Sequence, residues 1–381
     1  MAGKLWTGDF IRICVVNLLL YASLYALFPV LPMELSGRLG LPLEQIGSMF
    51  LFLILGMTLA GPFRAYLVDA YKRKYVFLFS FGVMVATTVG YAFVRNQMQL
   101  ISLGIIQGIA FGMATTAGIT IAIDITNSTM RSVGNINIAW VARLGMFLGI
   151  ASGVWLHQVY GIKYLLYFSV AIGMIGILLG TSIYVPFRAP IVTKVFSFDR
   201  FLLIRGWVPA INVILIGLIP GLFIPFSTSF GIGGDGTSTT LFFCIIGVGF
   251  VLSRFIGCIQ YLKNKTFLLI IAGIIFLNIA IYSLSPGSPG FLSAAFLGLG
   301  LGLVIPEFLM IFVKLSQHCQ RGTANSTHLL FCESGISLGV AAVCYLDADA
   351  LLLVGRIVAG LALLFFILVT YPYYRKKKLR S

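Results

Sequence analysis

The chain is a succession of long apolar runs separated by short breaks rich in Gly, Pro and charge. A membrane-crossing helix needs about 20 mostly apolar residues. Runs of that kind fall near 10–35, 42–68, 75–94, 98–125, 134–157 and 161–185. Six more lie near 205–230, 238–262, 266–284, 289–315, 324–346 and 349–372. Composition agrees with a lipid-facing surface. Hydrophobic residues make up 59% of the chain, charged residues only 10%, and the mean hydropathy is +1.03. Soluble domains carry about 25% charged residues, so water cannot be the solvent for most of this surface. The first run, Phe10 to Leu35, is too long for the h-region of a signal peptide and reads as a spanning helix.

The formal net charge of +15 could suggest a nucleic-acid partner, but its placement argues against one. The basic residues sit in short clusters between apolar runs, such as Lys72, Arg73 and Lys74, and Arg375 to Lys378. With the N-terminus placed in the cytoplasm, 19 Lys and Arg fall on the cytoplasmic side and only Arg38, Arg95 and Lys163 on the other. That asymmetry satisfies the positive-inside rule, puts both termini in the cytoplasm and requires an even number of spans. The expected fold class is an all-α membrane protein of twelve transmembrane helices in two six-helix halves. The expected divisions are 1–185, a cytoplasmic linker at 186–204, and 205–381.

An internal repeat supports the two halves. At an offset of 190, Arg131 matches Arg321, Asn135 matches Asn325, Gly145 matches Gly335 and Gly149 matches Gly339. The same offset pairs Gly108 with Gly298, Gly112 with Gly302 and Arg64 with Arg254. Apolar identities between helices count for little; Arg and Asn matches inside spans count for more. Parallel repeats about an axis normal to the membrane place a transporter's substrate site between the halves near the midplane.

These features resemble the major facilitator superfamily over essentially the whole chain. After the second run, Asp69 and the basic cluster Lys72–Lys74 match that family's loop signature, while its glycines and its Arg after the Asp are absent. Gly145, Gly149 and Gly153 match part of the glycine pattern of the family's antiporters, with Ile150 at the proline position. Gln107 and Gly108 match a span-four pair, with Gly104 in place of the coupling Arg. The end of the first run, Phe28 to Pro32, looks like bacterial efflux members. The resemblance implies a secondary active transporter working by alternating access in the bacterial inner membrane. It implies a proton-coupled exporter of a small amphipathic or anionic solute, with a lipid flippase or sensor on the same fold as the alternative. It also implies that spans one, four, seven and ten line a central cavity, and that Asp69 stabilises one conformation.

An ionisable side chain at bilayer depth costs about 2.5–3.5 kcal/mol on insertion scales and marks a functional site by default. Arg143 lies deep in the fifth run and Glu333 at the repeat-equivalent place in the eleventh. Arg143 is a candidate for an anionic substrate group and Glu333 for a proton. The competing reading is a structural ion pair, with each other or with other partners. Glu307 follows Pro306 in the tenth run and is a second proton-site candidate, because a carboxyl withdrawn from water favours its neutral form. Arg64 and Arg254 read as gate residues with Asp69. Asn17, Tyr21 and Tyr25 share one helix face through four-residue spacing, as do Gln107, Phe111 and Thr115. These faces suit either a substrate wall or ordinary interhelical hydrogen bonding.

An intramembrane metalloenzyme is disfavoured, since His157, His318 and His328 form no His-Glu-x-x-His motif. The Gly231–Gly236 turn lacks the Lys-Ser/Thr of a phosphate loop. No cofactor or metal is expected. The expected partners are a small-molecule substrate, protons and membrane lipids, with the chain acting as a monomer. The six cysteines have no metal or disulfide spacing and read as small core residues.

Overall fold

A computed structural model describes residues 5–127, 129–186, 195–229, 236–257, 265–284, 290–317 and 320–378. Residues 231–235 of the glycine-rich turn, 187–194 of the linker, Cys258, Cys319 and His318 lie outside them. The described residues form helices and loops, with no strand among them.

Every apolar run of the sequence holds a helix, but two runs are broken. The first becomes α1 (Gly8–Tyr25) and α2 (Leu31–Leu39). Pro29 has no N–H to donate, and its ring crowds the carbonyl four residues back, at the last residue of α1. Pro32 is tolerated in the first turn of α2, where those N–H groups have no intrahelical partner. The second run becomes α3 (Leu43–Leu59) and α4 (Gly61–Ala70), bent by 50° before Pro62. The Met57 carbonyl at this bend accepts a hydrogen bond from Arg64, so a side chain supplies what the broken helix does not. The remaining helices of the first half are α5 (Arg73–Gly90), α6 (Gln97–Asp124), α7 (Arg131–Tyr160) and α8 (Ile162–Thr181). Those after the linker are α9 (Trp207–Ser229), α10 (Gly236–Gly257), α11 (Thr266–Tyr282), α12 (Phe291–Leu315), α13 (Arg321–Tyr345) and α14 (Ala348–Phe365). A π-helical turn over Phe366–Thr370 joins α14 to α15 (Tyr371–Lys378).

Nine helices among the described residues are long and apolar enough to cross a membrane, and the bent α3–α4 pair makes a tenth. Of the others, α11 is apolar but has 17 residues. Length and composition of the described helices thus account for nine or ten crossings and do not show the exact count of twelve.

Side-chain to backbone bonds sort the loops into two ends. At one end Asp9 accepts from the Tyr184 N–H, Lys74 reaches the Thr181 and Ile183 carbonyls, and Tyr373 donates to the Arg205 carbonyl. Both ends of the described chain lie here, and it is called the terminal end below. At the opposite end Arg38 donates to the carbonyls of Tyr91, Ala92 and Val94, and Glu34 contacts His157 at 2.7 Å. Large apolar side chains such as Phe79, Leu178, Val248 and Leu353 are exposed between these ends, while Asn17, Gln107, Arg143 and Glu333 are buried. That inversion is what lipid, rather than water, selects. Cys14, Cys332 and Cys344 are buried as expected; Cys244 instead faces outward.

The repeat-related helices α7 and α13 are the internal struts. Gly149 of α7 lies so close to α1 that an added Cβ would stand 2.5 Å from the Ala22 carbonyl oxygen. Gly335 of α13 stands the same way against the Ile214 carbonyl of α9, at 2.5 Å. Small residues let helix backbones approach where no hydrophobic driving force exists between spans. Across the halves, α3 packs on α13, and α7 packs on α10 and α12.

Candidate functional site

The centre of the bundle is a charge pair. The guanidinium of Arg143, from α7, lies 2.6 Å from a carboxylate oxygen of Glu333, from α13, with side chains only 3% and 2% exposed. The other carboxylate oxygen accepts a hydrogen bond from the Tyr25 hydroxyl of α1. Thus two helices of the first half grip one carboxylate of the second. The glycine faces point elsewhere, because two residues turn a helix by about 200°. Gly145 and Gly149 press on α1 while Arg143 reaches across the centre, and Glu333 does so beside Gly335 and Gly339.

Aromatic rings wall the pair. Arg143 lies over the Tyr21 ring at 5.7 Å, Tyr21 stacks with Tyr25 at 6.1 Å, and Phe111 of α6 meets Tyr21 edge-on at 5.2 Å. The face of α1 expected from four-residue spacing therefore forms, and the α6 face meets it. Not every member turns inward with free capacity. Asn17 donates to the Ile138 carbonyl at 3.3 Å, Gln107 accepts from the Tyr91 hydroxyl at 2.6 Å, and Thr115 donates to the Phe111 carbonyl at 2.8 Å. Yet Asn17 Oδ1 and Gln107 Nε2 remain buried with no hydrogen bond among the described residues, and the Tyr21 hydroxyl lies within reach of the Glu333 carboxylate. Buried polar atoms are normally bonded, so these two unused groups stand out among the described residues.

The structure does not bring Glu307 to this centre. Ile305, Phe308, Leu309 and Phe312 form the buried face of α12, and Glu307 lies on the other face with Lys314. Its polar neighbours are Thr266 of α11, Lys314 and Tyr374 of α15. Pro306 lies inside a continuous α12, and rotation along that helix decides which way Glu307 faces.

The three expected gate residues lie at the terminal end or on the way to it. Asp69 forms ion pairs with Arg73 at 3.0 Å and with Arg200 of the linker at 2.8 Å, and Arg73 also pairs with Asp124. The Arg200 carbonyl accepts from Thr323 of α13, so the Asp69 contact reaches the second half through the linker. Arg254 of α10 donates to Asn137 of α7 at 3.0 Å, a direct bond between the halves. Arg64 is buried against the Phe201 ring and bonded to Met57 and Thr116. Between these contacts lies a cavity of about 680 Å³, bounded by α4, α6, the starts of α7 and α13, and the linker.

The sequence profile of the Major Facilitator Superfamily matches residues 13–340. The chain belongs to that superfamily. Its fold is similar to a crystal structure of the nucleoside transporter NupG, with a TM-score of 0.68 at 14% identity over 97% of this chain and 99% of that one. It is equally similar to the human organic anion transporter MFSD10, with a TM-score of 0.68 at 17% identity over 95% and 99% of the two chains. No curated protein matches the chain in sequence. Identities this low establish the shared architecture and nothing about cargo.

Membership in the superfamily gives the central pair its setting, between two packed halves of a transporter fold. Several participants escaped the sequence reading. His328 and Cys332 of α13, five residues and one residue before Glu333, are buried within the electrostatic reach of Arg143. Their four-residue spacing inside an apolar run was a usable signal. Asn137 and Arg200 had none, since both are ordinary in their local sequence and act only through partners 117 and 131 positions away.

Proposed function

We propose that this chain is a secondary active transporter in which Glu333 carries the coupling proton and Arg143 receives an anionic group of a small solute. The observation that carries the reading is the grip of Arg143 and Tyr25 of one half on Glu333 of the other. With Glu333 ionised, Arg143 is occupied and the halves are held together at the centre. A proton on Glu333 removes its charge, leaves Arg143 as an unpaired buried cation, and so creates a place for an anion. A buried charge that loses its partner is costly, which makes proton and anion bind together. Asn17 and Gln107 supply unused polar atoms for the rest of the solute, and a proton on Glu333 would release the Tyr21 hydroxyl beside it.

This logic favours movement of proton and anion in the same direction. The efflux direction implied by the resemblance fits it less well, because export against an inward proton gradient needs the two ligands to exclude each other. Alternating access follows from rocking of the halves about the pair, with the α7–α10 and α3–α13 packing as the contacts that open and close. The terminal end carries Lys74, Arg73, Arg200 and Arg205 against Arg38 and Arg95 opposite, which favours a cytoplasmic terminal end in the plasma membrane.

The test is solute uptake into proteoliposomes under an acid-outside gradient, screened over small carboxylates, phosphates and organic anions. Wild type should concentrate an anion only with the gradient. Glu333→Gln, neutral at every pH, should exchange the anion without responding to the gradient, and Arg143→Met should do neither. Gradient-driven uptake by Glu333→Gln at the wild-type level would refute the assignment.

A further inference from the structure

The cavity at the terminal end is separate from the Arg143–Glu333 centre, and its charges do not balance. Five arginines line it: Arg64, Arg73, Arg131, Arg200 and Arg321. Among the described residues only three acids do, Asp69, Asp124 and Asp199, and of these Asp69 and Asp124 are engaged by Arg73 and Arg200. Among the described residues, Arg64, Arg131 and Arg321 have no carboxylate partner. Arg64 is 3% exposed, and its Nε is buried without a hydrogen bond, as is the Nε of Arg131. A guanidinium withdrawn from water and left with an unused donor is an expensive arrangement unless something anionic completes it.

Arg131 and Arg321 are repeat equivalents, each the first residue of its helix, and both helices open on the cavity. The N-termini of α7 and α13 therefore bring free N–H groups and the positive ends of two helix dipoles to the place where the arginines gather. Thr116, Asn135, Thr323 and Ser326 line the same wall and add polar side chains. The cavity thus draws Arg131 from one half and Arg321 from the other.

We propose that this cavity binds a phosphate-type dianion, held by Arg64, Arg131 and Arg321 across the two halves. Three guanidiniums without acids match a doubly charged oxyanion, and their planar forks suit its oxygens. The phosphate can come from a soluble solute or from a lipid headgroup, and the same recognition serves both. The binding does not depend on the roles given to Arg143 and Glu333, so the two readings fail separately.

The experiment is thermal unfolding of the full chain in nanodiscs of phosphatidylcholine, titrated with inorganic phosphate, with chloride at matched ionic strength as the control. A parallel series contains phosphatidic acid in place of added phosphate. Wild type should show a saturable rise in Tm with phosphate and none with chloride. A rise with phosphatidic acid alone, lost in the variants below, would assign the phosphate to a lipid headgroup. Arg131→Gln/Arg321→Gln removes two charges that hold no acid, so the fold keeps its ion pairs; apparent affinity should fall by at least about tenfold. Gly322, beside Arg321, has open space where a Cβ would stand. Gly322→Asp should therefore fold, place its own carboxylate at the site and abolish the rise, while Gly322→Ala keeps it. Glu307→Gln, at a residue that lines neither the cavity nor the central pair, should retain the rise in full. The proposal is overturned if neither phosphate nor phosphatidic acid raises the wild-type Tm, or if Gly322→Asp and the double variant respond as wild type does.

Discussion

Breaking the central pair from one side should cost far more than removing it whole. At 2.6 Å and an effective dielectric of about 20, the attraction between Arg143 and Glu333 is about 6 kcal/mol. That is gross attraction, from which the cost of drying both groups must be subtracted. Both are almost fully buried, so deleting either partner leaves a charge with no water and no counter-ion, a loss of about 3–5 kcal/mol. Replacing both, as in Arg143→Met/Glu333→Gln, removes the charges together and should cost no more than about 1–2 kcal/mol, since paired buried charges contribute little net stability. The single losses then sum to well above the double loss, and a double-mutant cycle reports a coupling of several kcal/mol. The two singles also differ in kind. Glu333 stranded by Arg143→Met keeps the Tyr25 hydroxyl as a donor, so that variant should lose less. Arg143 stranded by Glu333→Gln cannot lose its proton, so its deficit should not vary between about pH 5 and 8. Reversible unfolding in mixed micelles across that pH range measures all four corners. Additivity of the singles within about 0.5 kcal/mol would show that the pair does not act as a unit, and the reasoning would fail.

Glu307→Gln should leave gradient-driven transport intact in proteoliposomes, because Glu307 faces α11 and α15 and not the centre. Gly149→Ala should lower stability by about 1–3 kcal/mol, since its Cβ meets the α1 backbone at 2.5 Å. Gly82→Ala, with open space at the same distance, should raise stability by up to about 1 kcal/mol through helix propensity, and the two are compared by unfolding midpoint. Arg254→Ala or Asn137→Ala should loosen the terminal end, seen as several-fold faster maleimide labelling of a Ser326→Cys reporter in the cavity wall; unchanged labelling would remove Arg254 from the gate.

The membrane fold was legible because lipid imposes one rule on every span, and twenty apolar residues satisfy it within the local sequence. The breaks within spans were less so. Pro29 and Pro62 both lie inside apolar runs, and nothing local says that Pro62 bends a run by 50° while Pro306 leaves α12 continuous. The difference lies in what repairs the backbone: Arg64 serves the bend, and that residue comes from a turn further on. Glu307 shows the same limit. Its depth could be counted along the sequence, but its facing depends on which side of α12 packs, and the buried residues flanking it decide that.

The central pair was closer to legible than it looked. Residues 143 and 333 differ by the repeat offset of 190, so an axis relating the halves carries one toward the other. Residues that are equivalent about such an axis and close to it must face each other. Like charges there would drive the halves apart, and two apolar residues would hold them without any means of release. Opposite charges close the centre, and under the coupling proposed above a single proton on the carboxylate opens it. In that proposal the departure from repeat symmetry at this position, Arg against Glu where the flanking Gly and Asn positions match, is what lets a symmetric scaffold respond to a chemical signal.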